Sequence, residues 1–162
     1  MTAKDLIKNS IGMGHMILTT YIGDMSDAEL MTRSVPGTNH LAWQLGHLIA
    51  SEHKMLSDAG FKMPALPDGF SESHSPEAAK SDDAGKFHTK EQYLGWLAQQ
   101  RDGTMAALGA ATDEDFAKAT PEAMHAYAPT VGVVFNMIGL HTMMHVGQFV
   151  PVRRKLDKPV MI

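Results

Sequence analysis

Two histidines four residues apart, His141 and His145, are the side chains of this sequence best placed for chemistry. On a helix that spacing stacks both imidazoles on one face, where they can share one metal ion. The ladder Val134, Ile138, His141, His145, Gln148 and Val152 steps by three or four throughout, so the pair lies on an apolar stripe and points to an interior. Two ligands make a weak site, and a third has to come from another helix. His47 is the best candidate, sitting in an apolar stretch one turn after Trp43. Three neutral imidazoles leave coordination positions open, as catalytic sites do. Zinc and nickel lead as the divalent ion, with iron, cobalt and manganese still open, because imidazole ligation alone does not decide. Spacing by itself leaves another reading standing, in which the three are hydrogen-bonded core histidines.

The stretch His141-Thr142-Met143-Met144-His145 has threonine where zinc proteases carry their general-base glutamate. A metal-bound water would ionise near neutral pH, yet no carboxylate stands on this stripe to move its proton. The other six histidines look different. His53, His74 and His88 fall on exposed or loop segments and are expected to have no role. His40 lies one heptad before His47 but close to a helix start. His125 sits between prolines, and the single Glu122-x-x-His125 cannot make a di-iron centre, which needs two such motifs and two more glutamates. His15 can face the interior beside Ile11 and Leu18, as a pocket residue.

The elements that position these groups all read as helices, and no alternating strand pattern stands out. A first helix runs from about Ala3 to Tyr21 or slightly beyond, with Gly12 and Gly14 weakening it or letting a neighbour approach. Ser26-Asp27-Ala28-Glu29 has the form of a capping box. Val35-Pro36-Gly37 breaks the chain, and Thr38 or Asn39 is expected to cap a second long helix that carries His47 and stops near Gly60. The proline- and glycine-bearing stretch 61–88 reads as a long loop, of a length usually tied to function or disorder. Thr89-Lys90-Glu91-Gln92 opens a third helix with Tyr93, Leu97, Met105 and Leu108 inward. Thr112-Asp113-Glu114-Asp115-Phe116 echoes the earlier acidic turn. A fourth helix then starts near Thr130 and runs to about Leu156, with a kink or early end expected at Pro151. The expectation is one all-α domain over residues 1–162, an up-down four-helix bundle. The echo between the acidic turns, each followed by a break and a histidine-bearing helix, points to two related helix pairs.

Composition narrows the function. The net charge of −4 argues against a nucleic-acid footprint. With no cysteine, disulfides, zinc thiolates and a cysteine nucleophile are excluded. Thirteen methionines spread at core-like spacing read as core filler rather than a copper site. Arg153-Arg154-Lys155 reads as a solvated last helical turn, opposing the helix dipole. No apolar run approaches the ~18 residues needed to span a membrane, and the N-terminus lacks a signal-peptide core. The expectation is a cytoplasmic protein.

HLAWQLGHLIASE at 40–52, followed by HTMMHVGQFVPVRRKL at 141–156, resembles the DinB/YfiT-like superfamily of metal-binding four-helix bundles. The resemblance covers nearly the whole chain and includes the acidic turn before the second long helix and the H-x-x-x-H-x-G-Q signature. It implies that His47, His141 and His145 are the metal ligands, with Trp43 and Gln148 as matching neighbours in the pocket. Similar proteins often close the last helix with glycine, where this chain has Asp157. The resemblance also implies a homodimer. Its expected activity is transfer of a low-molecular-weight thiol, such as bacillithiol, mycothiol or glutathione, to an electrophilic small molecule. That chemistry suits a site with neither cysteine nor carboxylate, because a metal-bound thiol ionises readily. A metal-dependent hydrolase, with Gln148 or His74 placing water, is the alternative, and a non-enzymatic metal-stabilised binding or stress-response protein is the third.

Overall fold

The computed structural model describes residues 1–160, and among them the regular elements are all helical. They are α1 (Ala3–Gly23), α2 (Asp27–Leu30), α3 (Leu41–Asp58), α4 (Phe70–Ser73), α5 (Lys90–Ala110), α6 (Asp113–Ala117) and α7 (Val131–Lys155), with short 3-10 turns at Ala78–Lys80, Ala84–Lys86 and Glu122–Met124. Capping boxes close the N-termini of α1, α2, α5 and α6 through Thr2, Ser26, Thr89 and Thr112. Each such box satisfies two backbone donors that a helix start leaves orphaned. None of the helices is long and apolar enough to cross a membrane.

The cap of α3 differs from expectation. Thr38 spends its hydroxyl on the Val35 carbonyl at 2.8 Å, and the Asn39 carbonyl accepts from Gln44 Nε2 at 2.9 Å. His40 is the N-cap instead, its Nδ1 accepting the Trp43 amide at 3.1 Å. Pro151 does not end α7, which runs on to Lys155. Both Pro151 and Gly147 are exposed, so the carbonyl that loses its partner faces solvent. After α7, Asp157 takes the left-handed conformation (φ 54°) that glycine usually supplies, and the Lys158 amide bonds back to the Arg153 carbonyl at 2.9 Å. That is a Schellman closure made with aspartate, which tolerates this region better than most residues.

The four long helices close a ring in the order α1, α7, α3, α5. Directions follow from the packing. Ile11 of α1 packs with Ile138 and Val134 of α7, while Leu18 and Ile22 pack with Val146 and Phe149, so α1 and α7 are parallel. On α3 and α5, Leu45 shares a cluster with Tyr93 and Leu56 shares the other with Leu108, so these two are parallel as well and opposed to the first pair. The bundle is therefore up-down-down-up, where simple alternation was the sequence expectation. Residues 59–89 make the difference. They carry the chain back along the roughly 27 Å length of α3 before α5 begins, a distance that a loop of this length covers easily. The two halves repeat the same order, a long helix, a short capped acidic helix and a second long helix, with α2 packing on α3 and α6 on α7.

The interior holds two apolar clusters end to end, with a polar storey between them. Along α1 the storey is His15, between Ile11 and Leu18; along α3 it is Glu52, between Ile49 and Leu56; along α5 it is Arg101 and Thr104, between Leu97 and Leu108; along α7 it is Thr142 and His145, between Ile138 and Phe149. Gly14 packs on Thr142, and Gly139 lies so close to Ser10 that a Cβ there would stand 2.9 Å from its hydroxyl. Glu52 is 7% exposed and accepts a short hydrogen bond from the Thr104 hydroxyl. Burial pushes its carboxyl up, with the Arg101 charge and the Thr104 bond opposing. Arg101 is 9% exposed, and its Nε and Nη1 find no acceptor among the described residues.

Candidate metal centre

The site forms where α3 and α7 run antiparallel in the polar storey. His47 comes from α3, and His141 and His145 from successive turns of α7. Their ring centroids stand 5.2 Å (His47–His141), 5.1 Å (His47–His145) and 4.8 Å (His141–His145) apart. One nitrogen from each ring lies within 4.8 Å of the others. The structure thus brings together the three histidines that spacing and resemblance had selected. Burial, reinforced by the neighbouring imidazoles, pulls His145 down to about 3 and His141 to about 4, and burial lowers His47 too. Burial thus favours the neutral form of all three rings, the form that metal binding requires.

Their orientation is set by neighbours. His145 Nδ1 lies 2.9 Å from Gln44 Oε1, an acceptor, so Nδ1 carries the proton and Nε2 is left for a metal. Gln44 is itself fixed by donating to the Asn39 carbonyl. Trp43 stacks on His47 at 4.8 Å with an interplanar angle of 11°, and its Nε1–H donates to the Ser75 carbonyl at 2.8 Å. The crossover 59–89 therefore braces the His47 ligand through Trp43. A second brace sits beside it. His74 packs on Gly46, where a Cβ would fall 1.9 Å from the imidazole Cδ2. Far from being an exposed loop residue, His74 is 2% exposed, with Nδ1 on the Phe70 carbonyl at 2.8 Å and Nε2 on Tyr93 Oη at 2.9 Å. Burial takes it to about 4 and pushes Tyr93 up to about 12.

Two expected pocket residues lie elsewhere. Gln148 is exposed, since the α7 stripe turns outward after His145. The amide that serves the site is that of Gln44, three residues before His47 and 1% exposed. A glutamine inside the apolar run Leu41–Leu45 was the signal for it. His15 is half-buried, outside the cleft lining, and feels the charges of Arg101 and Asp102 on α5.

A cleft of about 300 Å³ opens beside the histidines, lined by His47, Ser51, Met55 and Lys54 of α3, His141 and Met137 of α7, and Tyr127 from the segment before α7. No aspartate or glutamate is in that lining. Three imidazole nitrogens so grouped, beside a carboxylate-free cleft, are able to hold a metal ion. The model of the DinB superfamily matches residues 14–149. The chain belongs to the DinB superfamily. As a DinB protein it has a solved structural counterpart in a conserved protein from Enterococcus faecalis, similar over 98% of this chain and 99% of that one, with a TM-score of 0.72 and 18% identity. That likeness is one of fold. No curated protein matches the chain.

Proposed function

We propose that this DinB protein holds one zinc or nickel ion on His47, His141 and His145 and transfers a low-molecular-weight thiol to an electrophilic small molecule. The observation that carries the reading is a cluster of three histidines, two of which, His47 and His141, line an open, largely apolar cleft whose wall holds no carboxylate. Held by His47, His141 and His145, a divalent ion would supply positive charge that favours the thiolate form of a thiol beside it. The chain supplies the rest. Gln44 keeps the proton of His145 on Nδ1, Trp43 holds the plane of His47, and Met55 and Met137 keep the electrophile's side of the cleft dry. Sulfur bonds to the electrophilic carbon as the leaving group departs, and the thiol proton leaves to solvent through the open cleft. The hydrolase alternative loses support, because Gln148 is exposed and His74 has both nitrogens engaged, so neither places a water. Thiol chemistry of this kind fits a reducing cytoplasm.

Elemental analysis of protein purified without a His-tag tests the site. About one metal per chain is expected, with loss in His47→Ala and His145→Ala. Turnover of 1-chloro-2,4-dinitrobenzene with glutathione, cysteine or bacillithiol is expected to need both thiol and metal. Wild-type protein that stays metal-free after zinc or nickel reconstitution would sink the reading. Turnover with water alone would replace it with a hydrolase.

A further inference from the structure

The cleft beside the histidines is not uniform along its length. His47, Ser51 and Met55 stand at i, i+4 and i+8 on α3, and His141 faces them from α7 with Met137 one turn before it. Two thioethers and the Tyr127 ring make this middle stretch soft and apolar, suited to a flat or flexible hydrocarbon body. Lys54 lies two turns beyond His47, roughly 10 Å along the helix axis. It is the one Lys, Arg, Asp or Glu in the cleft lining. Tyr127 comes near enough to Lys54 to act on its charge. Asp58 holds Lys54 Nζ at 2.7 Å, but it is not in the cleft wall, and one carboxylate oxygen occupies one of three ammonium donors. Such an exposed i,i+4 pair is weak, so the ammonium is available to a second anion.

We propose that the co-substrate of this cleft is an apolar electrophile with a single anionic group at the end remote from its reacting carbon, the apolar body lying on Met55, Met137 and Tyr127 and the anion on Lys54. This names the substrate class of the site read above as a thiol transferase, and so rests on that reading for the word electrophile, though the binding preference is independent of it. An organic cation at the Lys54 end of the cleft would be opposed by its ammonium, and a polar sugar would find few partners on the walls.

The test uses three unreactive probes of one shape, 2-naphthoate, 2-naphthamide and 2-naphthylmethylamine. Each is titrated calorimetrically into the purified protein, both as isolated and after chelation, so that a carboxylate–metal bond cannot imitate the effect. The acid is expected to bind at least fivefold tighter than the amide in both preparations, with the amine weakest. In Lys54→Gln the acid falls to the level of the amide while amide binding is unchanged; Lys54→Arg keeps the preference, and Lys62→Gln, outside the cleft, leaves it intact. Equal affinity for acid and amide in wild type, a preference that survives Lys54→Gln, or no binding of any probe overturns the proposal. If the Lys54-dependent preference appears and no thiol transfer is ever found, the functional reading fails and the anion subsite stands. If transfer occurs with neutral electrophiles and the preference is absent, the reverse holds.

Discussion

Replacing Gly46 by alanine puts a methyl group where the His74 imidazole already lies. The new Cβ would stand 1.9 Å from Cδ2 and 2.1 Å from Nε2 of a ring that is 2% exposed. The backbone of α3 is locked between Leu45 and Leu48, so His74 has to yield. It then loses its bonds to Tyr93 Oη and the Phe70 carbonyl, each worth about 1 kcal/mol. Overpacking adds about 1–3 kcal/mol, and alanine returns about 1 kcal/mol of helix propensity. The net cost is about 3 kcal/mol, which for a chain of this size lowers Tm by roughly 6–12 °C. Moving His74 also draws back Ser75, whose carbonyl fixes Trp43, so zinc or nickel affinity is expected to fall with stability. Urea and thermal unfolding, with competitive metal titration, read both effects. Gly95→Ala is the control, because nothing stands within 4 Å of a Cβ there; it is expected to be neutral or stabilising by up to about 1 kcal/mol. If Gly46→Ala melts with Gly95→Ala, the wedge of His74 against α3 does not exist.

Glu52→Gln leaves the buried Arg101 guanidinium without its nearby counter-charge and is expected to cost about 3 kcal/mol in urea unfolding at pH 7. Adding Arg101→Gln is expected to restore part of that loss, and strict additivity of the two would show that they do not interact. His74, His141 and His145 are held at about 4, 4 and 3 by burial, against roughly 6.5 when unfolded. The unfolded chain therefore binds more protons in between, so their share of stability is complete above about pH 6.5 and is lost as pH falls toward about 4; unfolding midpoints at pH 7.5, 6 and 5 should decline, and a flat profile would contradict the burial of these rings. The outer faces of α1 and α7 expose Leu6, Met13 and Met16 beside Leu140 and Met144, and α7 carries no charged residue before Arg153. Two adjacent helices of this length offer roughly 600 Å² of footprint, near the ~800 Å² per partner of a standard interface. Sedimentation is expected to give a dimer for wild type and a monomer for Met13→Glu/Leu140→Glu, while a wild-type monomer at tens of micromolar would refute it.

The helices and the His141–His145 pair were legible because both rest on local periodicity, whereas His47, on another helix, needed the family resemblance to set it above a core histidine. His141 and His145 are one turn apart on one stripe, and four of the helix starts carry their own caps in sequence. Three things depended on tertiary packing instead. Helix direction was set by where the 59–89 segment lands, and no local signal fixes that. His40 took the α3 cap, its Nδ1 accepting the Trp43 amide, while the Thr38 hydroxyl was already committed to the Val35 carbonyl of the preceding turn. His74 read as solvent-exposed among polar residues, yet Gly46 opens a slot that only the folded α3 creates. Glu52 was visible in principle, since it occupies the core register of Leu41, Leu45, Leu48 and Leu56, and a charge in that register marks a buried polar partner on a facing helix.

The division of the core by a polar storey bears on how such a chain can change over time. The two apolar ends form separate clusters, so each can exchange methyl groups among its own members without disturbing the other. The middle has no such freedom: His15, Glu52, Arg101, Thr104 and the histidine wall draw on all four long helices at once. Substitutions are thereby expected to be tolerated more readily in the two apolar ends of the bundle than in its polar middle.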